Sequence, residues 1–119
     1  MTDPIIIGTV ALDSIETPFG KVKDALGGSA CYASIAASFF SKPGILSIIG
    51  KDFPEQYLKY LNKKGIDTKG IILGEKTFKW EGFYEFDMNE AKTLRTELNS
   101  LESYNVEIPE NYKNAKYIF

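Results

Sequence analysis

Two continuous apolar segments in the first half of the chain predict buried strands. One runs from Ile5 to Leu12 and ends at Asp13, and the other runs from Ile45 to Gly50. Short runs of β-branched residues without polar alternation are typical of strands covered on both faces, which is how the strands of parallel sheets are placed. The first half of the chain therefore has the pattern of a parallel sheet.

Two segments beside these strands predict helices. The first covers about Ser29 to Ser41 and is stopped by Lys42-Pro43-Gly44. The second starts at Asp52, which we interpret as an N-cap carboxylate because Glu55 stands three residues later, as in a capping box. Gly65 ends this second helix. The alternation of strand and helix indicates an α/β fold.

The second half of the chain changes to a period of two. From Phe78 to Phe86, aromatic residues and a glycine occupy one parity and charged residues mostly occupy the other, with Phe83 as the exception. This pattern predicts a half-buried strand. Thr93 to Leu98 favours a further strand of the same antiparallel patch, although a helix from Asn89 to Leu101 is an alternative. Ile71 to Leu73 predicts a short strand before this patch.

Two remaining segments complete the predicted elements. Ser14 to Lys23 is polar and contains Pro18 and Gly20, so it predicts an exposed excursion of hairpin type. Ala115 to Phe119 predicts the beginning of another buried strand.

The composition narrows the class of protein. The 119 residues are 44% hydrophobic and 25% charged, which is typical of one globular domain. The net charge is -2 and the basic residues are scattered, which argues against a nucleic-acid partner. Cys31 is the only cysteine, so no intramolecular disulfide can form and a reducing compartment is expected. Without a signal-peptide pattern or an apolar run of ~20 residues, we expect a cytoplasmic protein without a membrane span.

The chain contains no histidine, which excludes several kinds of catalytic site. Ser-His-Asp triads, Cys-His pairs and the zinc sites that use imidazole cannot be assembled from these residues alone. General-base chemistry would fall to carboxylates.

Gly27 and Gly28 stand directly before the first predicted helix and form the clearest candidate site. Glycine has no Cβ, so a ligand can approach this backbone and meet the free N–H groups at the positive end of the helix dipole. These donors suit an anion or a set of hydroxyl oxygens. The alternative is that the glycines only let Ala30, Ala33 and Ala37 pack the helix tightly. Cys31 fits a core residue better than a nucleophile.

The order of several short motifs resembles the N-terminal portion of the ribokinase-like (PfkB) carbohydrate kinase family. The motifs are Gly-x-x-x-x-Asp (Gly8 to Asp13), Gly27-Gly28 opening an alanine-rich helix, Gly-Lys-Asp-Phe (Gly50 to Phe53) and Lys-Gly-Ile-Asp (Lys64 to Asp67). The resemblance covers essentially the whole chain. It implies the N-terminal part of a Rossmann-like, three-layer α/β fold with a small β-sheet lid, and the activity of a carbohydrate kinase.

The resemblance also implies roles for individual residues. Asp13 and the backbone of Gly27 and Gly28 would hold the hydroxyls of the phosphate acceptor, although Asp13 could instead be a turn-initiating residue. Where members of the family often carry two asparagines, this chain has Ala11 and Tyr32. Loss of these amides makes ribose doubtful and a larger, more apolar or nucleoside-like acceptor plausible, with Tyr32 stacking on its ring or filling space.

The family's lid corresponds to residues of about 14–23 and 76–99. It covers the acceptor and often contacts a second subunit, so a homodimer through the lid is expected. Trp80 and Tyr84 are candidate lid contacts with the substrate, although aromatic residues on one parity are more often sheet core.

The resemblance further implies ATP and Mg²⁺ as cofactors. The family binds them, and places its catalytic base, in a later Gly-Ala-Gly-Asp segment that residues 1–119 lack. We therefore predict a single partial kinase domain over 1–119 that supplies acceptor binding, holds no catalytic residue or metal ligand, and is inactive alone. The alternatives are a nucleoside kinase of the same fold, a non-catalytic small-ligand or dimerisation module, and a nucleotide-binding α/β domain of another enzyme class.

Overall fold

Seven strands and two α-helices follow one another along residues 1–119, all of which the computed structural model describes. The strands form a three-stranded sheet, here called the main sheet, and a four-stranded sheet, here called the lid sheet. Two short 3-10 helices cover Asn99–Ser103 and Glu110–Tyr112. The elements are β1 (Ile5–Ile7), β2 (Ala11–Thr17), β3 (Gly20–Gly27), α1 (Ser29–Ala37), β4 (Gly44–Ile49), α2 (Glu55–Lys63), β5 (Ile71–Leu73), β6 (Phe78–Tyr84) and β7 (Ala91–Glu97).

The main sheet is parallel, as the apolar segments predicted. Its strand order is β1-β4-β5, and the central strand β4 is buried along its whole length. Beyond β1 the chain returns at residues 117–119, where the N–H groups of Ile5 and Ile7 donate to the carbonyls of Tyr117 and Phe119. The predicted strand at Ala115 to Phe119 thus pairs with β1, but the prediction that it is buried is wrong, since Phe119 is 80% exposed.

The two faces of the main sheet are covered unequally. One face carries the main core, in which Ile6 and Ile45 pack against Cys31 of α1 and Leu61 of α2. Both α-helices therefore lie on this face, and neither is long and apolar enough to cross a bilayer. The other face carries a smaller cluster of three buried residues around Tyr112.

The chain leaves the main sheet early, and this corrects the prediction of one strand from Ile5 to Leu12. β1 ends at Ile7, and residues 8–10 carry the chain across to the lid sheet, where β2 begins at Ala11. The segment looks like one strand because Ile5 and Ile6 of β1 and residues 10–12 at the start of β2 are all buried, although Ile7 between them is exposed. Gly8 permits the crossing, since a Cβ there would lie 3.2 Å from the backbone nitrogen of Ala30 in α1.

The lid sheet has the strand order β3-β2-β6-β7. β2 and β3 form the expected hairpin, β6 runs parallel to β2, and β7 runs antiparallel to β6. The strand predicted at Thr93 to Leu98 is confirmed in β7, and the helical alternative is excluded.

The prediction that Asp52 caps the second helix is wrong. α2 begins at Glu55 after Pro54, with no side-chain cap. The Asp52 carboxylate turns instead towards the start of β6, where its Oδ1 accepts hydrogen bonds from the N–H of Thr77 at 2.9 Å and from its hydroxyl at 2.7 Å. Burial would raise the pKa of Asp52, but these bonds and the nearby Lys79 lower it. Asp52 therefore anchors the lid sheet to the main body.

Candidate functional site

The Gly27-Gly28 step is the point where the lid sheet meets the first helix. Gly27 is the last residue of β3 and Gly28 is the N-cap of α1, with φ 98°. A Cβ on Gly28 would lie 2.7 Å from the carbonyl carbon of Thr9, so the residue requires glycine both for its left-handed backbone and for this close approach. The glycine pair thus fixes the entry of the chain into α1.

Thr9 occupies part of the helix terminus that the sequence suggested for a ligand. The N–H of Ser29 donates to the Thr9 hydroxyl at 2.9 Å, and the N–H of Ala30 donates to the Thr9 carbonyl at 2.9 Å. Two of the first-turn donors are therefore already used within the chain. The N–H of Gly28 forms no hydrogen bond with another backbone group. The Gly28 N–H is thus a donor without a backbone partner at this end of the helix.

The Asp13 carboxylate lies against Gly27. The two residues are diagonal neighbours on adjacent strands, and a Cβ on Gly27 would lie 2.5 Å from Cγ of Asp13. Gly27 is therefore required for the position of this carboxylate. Burial raises the pKa of Asp13, and no hydrogen bond or cation offsets this rise. The structure thus holds a half-buried carboxylate without a partner beside a helix N-terminus.

Asp13 does not initiate a turn, which was the alternative interpretation of this residue. The residue lies inside β2, paired with Ala25 on one side and with Trp80 on the other. A register shift follows directly after Asp13 in the β2–β3 hairpin. Bulges of this kind re-aim side chains in sheets and are frequent beside active sites.

Tyr32 projects from the first turn of α1 and is 60% exposed. Burial of its hydroxyl raises its pKa, and the charges of Asp13, Cys31 and Tyr84 raise it further. Tyr32 therefore lies near both Asp13 and Tyr84, although these residues come from different elements. The fold thus brings together three of the residues that the sequence singled out.

Cys31 is part of the core, as expected. It is buried, and burial together with the negative charge of Asp13 raises the pKa of its thiol to about 12. At neutral pH it stays a protonated thiol, which is a poor nucleophile.

Trp80 and Tyr84 lie on the same face of the lid sheet as Asp13. Asp13 pairs with Trp80 in the parallel β2–β6 register, and Gly82 and Tyr84 follow at the same parity. Gly82 is a residue that sequence reasoning did not assign, although its position among aromatic residues of one parity was the signal. Thr9 was missed as well, because nothing in the sequence marks it as a partner of Ser29.

The opposite face of the lid sheet is chemically different. It carries a polar cavity of about 230 Å³, whose lining includes Ser14, Lys79, Glu81 and Arg95, and Trp80 also borders this cavity. Lys79 is 3.8 Å from Asp52, and Arg95 pairs with Glu97. These charges largely satisfy one another within the chain, so this face is a weaker candidate for a site than the face that bears Asp13.

No protein-family model matches the chain. A curated relative, the cytidine kinase of Thermococcus kodakarensis, is 31% identical over 118 residues, which are 98% of this chain and 42% of the relative. The chain therefore spans less than half the length of the curated relative that it matches.

Several solved kinase structures share the fold of this chain. The nucleoside kinase of Methanocaldococcus jannaschii, an archaeal member of the ribokinase family, superposes with a TM-score of 0.67 at 21% identity, covering 96% of this chain and 42% of that one. The ribokinase of Cryptococcus neoformans var. grubii, solved with ADP, gives 0.66 at 17% identity, covering 76% and 32%. A nucleoside kinase of Burkholderia thailandensis, solved with inosine, gives 0.66 at 16% identity, covering 78% and 35%. The α/β fold that the motif order predicted is confirmed as that of the N-terminal portion of the ribokinase-like kinases.

Proposed function

We propose that this chain, which has the ribokinase-like fold, supplies the acceptor-binding part of an ATP-dependent kinase that phosphorylates a sugar hydroxyl. The sugar is either free or the ribose of a nucleoside. The observation that carries the proposal is the unpaired carboxylate of Asp13, held against Gly27 and next to the free N–H of Gly28.

These groups suit the recognition of hydroxyls better than the recognition of a phosphate. A sugar hydroxyl both donates and accepts, so it can donate to Asp13 while a neighbouring oxygen accepts from Gly28. A phosphate is anionic, and the Asp13 carboxylate would repel it. The pairing of one acceptor and one donor therefore favours the sugar side of the reaction.

Phosphoryl transfer depends mainly on positioning of the reactants and on stabilisation of charge. Asp13 and Gly28 would contribute to the positioning of the acceptor. Asp13 and Gly28 orient the acceptor, and Asp13 loses water contacts through burial, which strengthens each hydrogen bond that it accepts. The chain offers no group of three or more Cys, Asp or Glu residues that could hold a metal ion. We assign no residue of 1–119 to ATP or Mg²⁺. An Escherichia coli protein of similar fold has been solved with ATP and Mg²⁺, which supports that donor.

The relatives support both classes of acceptor. The curated relative is named as a cytidine kinase, one solved neighbour is a nucleoside kinase with inosine, and another is a ribokinase. Ala11 and Tyr32 stand where members of the family often have asparagines. Because Tyr32 is exposed beside Asp13, it is available to a ring attached to the sugar.

The test uses the whole protein, meaning the product of the complete reading frame that contains residues 1–119. Asp13→Ala should raise the acceptor KM by roughly 10- to 150-fold, since a hydrogen bond to a charged group contributes about 1.5 to 3 kcal/mol. The KM for ATP should stay nearly unchanged. Residues 1–119 alone should transfer no phosphate.

Glu16→Ala is the matched control for this experiment. It removes a carboxylate from the same strand, but Glu16 has the opposite parity and is exposed. It should leave both KM values unchanged. The panel of donors should include pyrophosphate as well as ATP, because a pyrophosphate-dependent kinase of the ribokinase family is among the structural neighbours. An Asp13→Ala protein with normal acceptor kinetics and impaired ATP binding would contradict the proposal.

A further inference from the structure

The indole ring of Trp80 lies flat along its own strand. A Cβ on Gly82 would overlap the ring, with Cζ3 only 2.7 Å away, so the ring fills the space above Gly82 where a side chain would stand. The indole N–H donates to the Thr93 hydroxyl of the neighbouring strand at 3.1 Å. Steric contact at Gly82 and the hydrogen bond to Thr93 therefore fix both the plane and the direction of the ring.

This flat ring begins beside the proposed sugar site. Trp80 pairs with Asp13 and Gly82 pairs with Ile15 on the adjacent parallel strand, so the ring extends along β6 away from the carboxylate. Adjacent strands are about 4.8 Å apart, so the indole lies about one strand spacing from the strand that carries Asp13. A ligand whose hydroxyls contact Asp13 would thus place an attached ring on the indole face.

The surroundings of the indole are aromatic as well. Tyr84 follows Gly82 on the same face, and the charge of Tyr84 contributes to the raised pKa of Tyr32 on α1. Tyr32 is largely exposed, so it can adjust to a ligand. These aromatic faces are suited to contact with a planar ring.

We propose that Trp80, held flat by Gly82 and Thr93, forms a stacking platform for the base of a nucleoside acceptor whose ribose binds at Asp13 and Gly28. The inference rests on the proposed function and assigns its substrate class. Gly82 and Thr93 act as positioning residues, since they determine the orientation of the indole. The competing explanation is that an aromatic ring covers a strand glycine only to stabilise the sheet.

The platform can be observed directly, because Trp80 is the only tryptophan in residues 1–119. In the whole protein, any further tryptophan is first replaced by phenylalanine. Cytidine and inosine should then quench the Trp80 emission in a saturable manner, whereas D-ribose, which lacks a base, should leave it unchanged. Ribose quenching equal to that of the nucleosides would overturn the inference.

Variants of the two positioning residues separate a platform from a purely structural ring. Gly82→Ala should displace the indole and raise the nucleoside KM by about tenfold or more, because stacking of a base on an aromatic side chain contributes strongly to binding. The kcat should change far less. Thr93→Val should raise the same KM, and Thr93→Ser, which keeps the hydroxyl, should restore it. Unchanged nucleoside KM in both Gly82→Ala and Thr93→Val would show that the ring has only a structural role.

The outcomes also separate this inference from the proposed function. Phosphorylation of a free sugar and of no nucleoside would leave the kinase proposal intact and refute the platform. Absence of any phosphoryl transfer, together with saturable quenching by nucleosides, would refute the kinase proposal and support the platform as a binding site. If Gly82→Ala does not fold, Trp80→Leu replaces it, since leucine has no aromatic face for stacking, with the same expected rise in nucleoside KM.

Discussion

Replacing Gly27 by alanine tests how Asp13 is held in place. The substitution adds one methyl group at the end of β3 without changing charge or polarity. In the structure this carbon would lie 2.5 Å from Cγ of Asp13. The carboxylate must then move, because the neighbouring backbone of β3 is fixed by its ladder with β2.

The size of the displacement follows from ordinary contact distances. Carbon atoms in contact lie about 3.5 to 4.0 Å apart, so the carboxylate has to move by about 1 Å or more. Misplacement of a substrate-positioning group by 1 Å can cost on the order of 100-fold in rate. We therefore expect Gly27→Ala to lower kcat/KM for the acceptor by roughly 10- to 100-fold and to leave the KM for ATP unchanged.

A double-mutant cycle with Asp13→Ala gives the decisive measurement. If Gly27→Ala acts by displacing the carboxylate, it should have little further effect once the carboxylate has been removed, so the two effects should not add. The assay is initial-rate kinetics of the whole protein at saturating ATP over a range of acceptor concentrations. Circular dichroism spectra of the four proteins show whether each is folded.

Additive effects would refute this reasoning. A Gly27→Ala penalty of the same size in the Asp13→Ala background would mean that Gly27 acts through its own backbone or through packing of α1. A Gly27→Ala protein with normal acceptor kinetics would mean that the contact with Asp13 has no functional consequence.

Two further predictions concern stability and assembly. Tyr112→Phe removes the hydroxyl that donates to Asp67 at 2.9 Å and accepts from the N–H of Gly70 at 3.1 Å, so it should lower the free energy of unfolding by about 2 kcal/mol in urea titrations, whereas exposed Tyr117→Phe should not. Burial alone would raise the pKa of Asp67, but hydrogen bonds including that from Tyr112 lower it below the ordinary carboxyl value. The stability that these bonds give is therefore fully present above about pH 4 and is lost as the pH falls through the lowered pKa. The loss of unfolding free energy in Tyr112→Phe should accordingly become smaller in acid. At the tip of the lid sheet, Phe19 and Phe86 form an edge-to-face pair with both rings 76% exposed, and we expect this pair to contribute to a lid-mediated dimer. Light scattering at micromolar concentration should show a dimer that Phe86→Ser weakens, and a monomeric wild-type protein would contradict the lid interface.

The elements that the sequence predicted well are those in which local pattern and tertiary environment agree. β4 is apolar at nearly every position and is buried at every position, so its pattern is unambiguous. The strand β6 alternates because one of its faces carries aromatic residues and the other carries charges. β7 was ambiguous from composition, and its pairing with β6 decided in favour of the strand.

The predictions that failed depend on contacts between residues distant in sequence. Asp52 has the spacing of a helix cap, but two hydrogen bonds to Thr77, 25 positions later, hold its carboxylate elsewhere. The segment from Ile5 to Leu12 looks like one strand because hydrophobicity does not reveal a change of sheet. For the candidate site, the proximity of Asp13 and Gly27 was expected from the family resemblance, whereas the roles of Thr9 and Gly82 depend on side-chain packing that no local pattern encodes.

The crossing at residues 8–10 places the proposed hydroxyl-binding pair at the junction of the two sheets. Asp13 belongs to the lid sheet, whereas the Gly28 N–H marks the start of a helix that packs on the main sheet. The Gly28 amide shares its peptide plane with Gly27, the last residue of β3, so a rotation of the lid sheet would carry the carboxylate and the amide together and move both relative to Tyr32 on α1. Affinity for the acceptor and the position of the lid sheet would then be linked quantities: a ligand that bridges the lid sheet and α1 favours the arrangement that it bridges by the same free energy by which that arrangement favours the ligand.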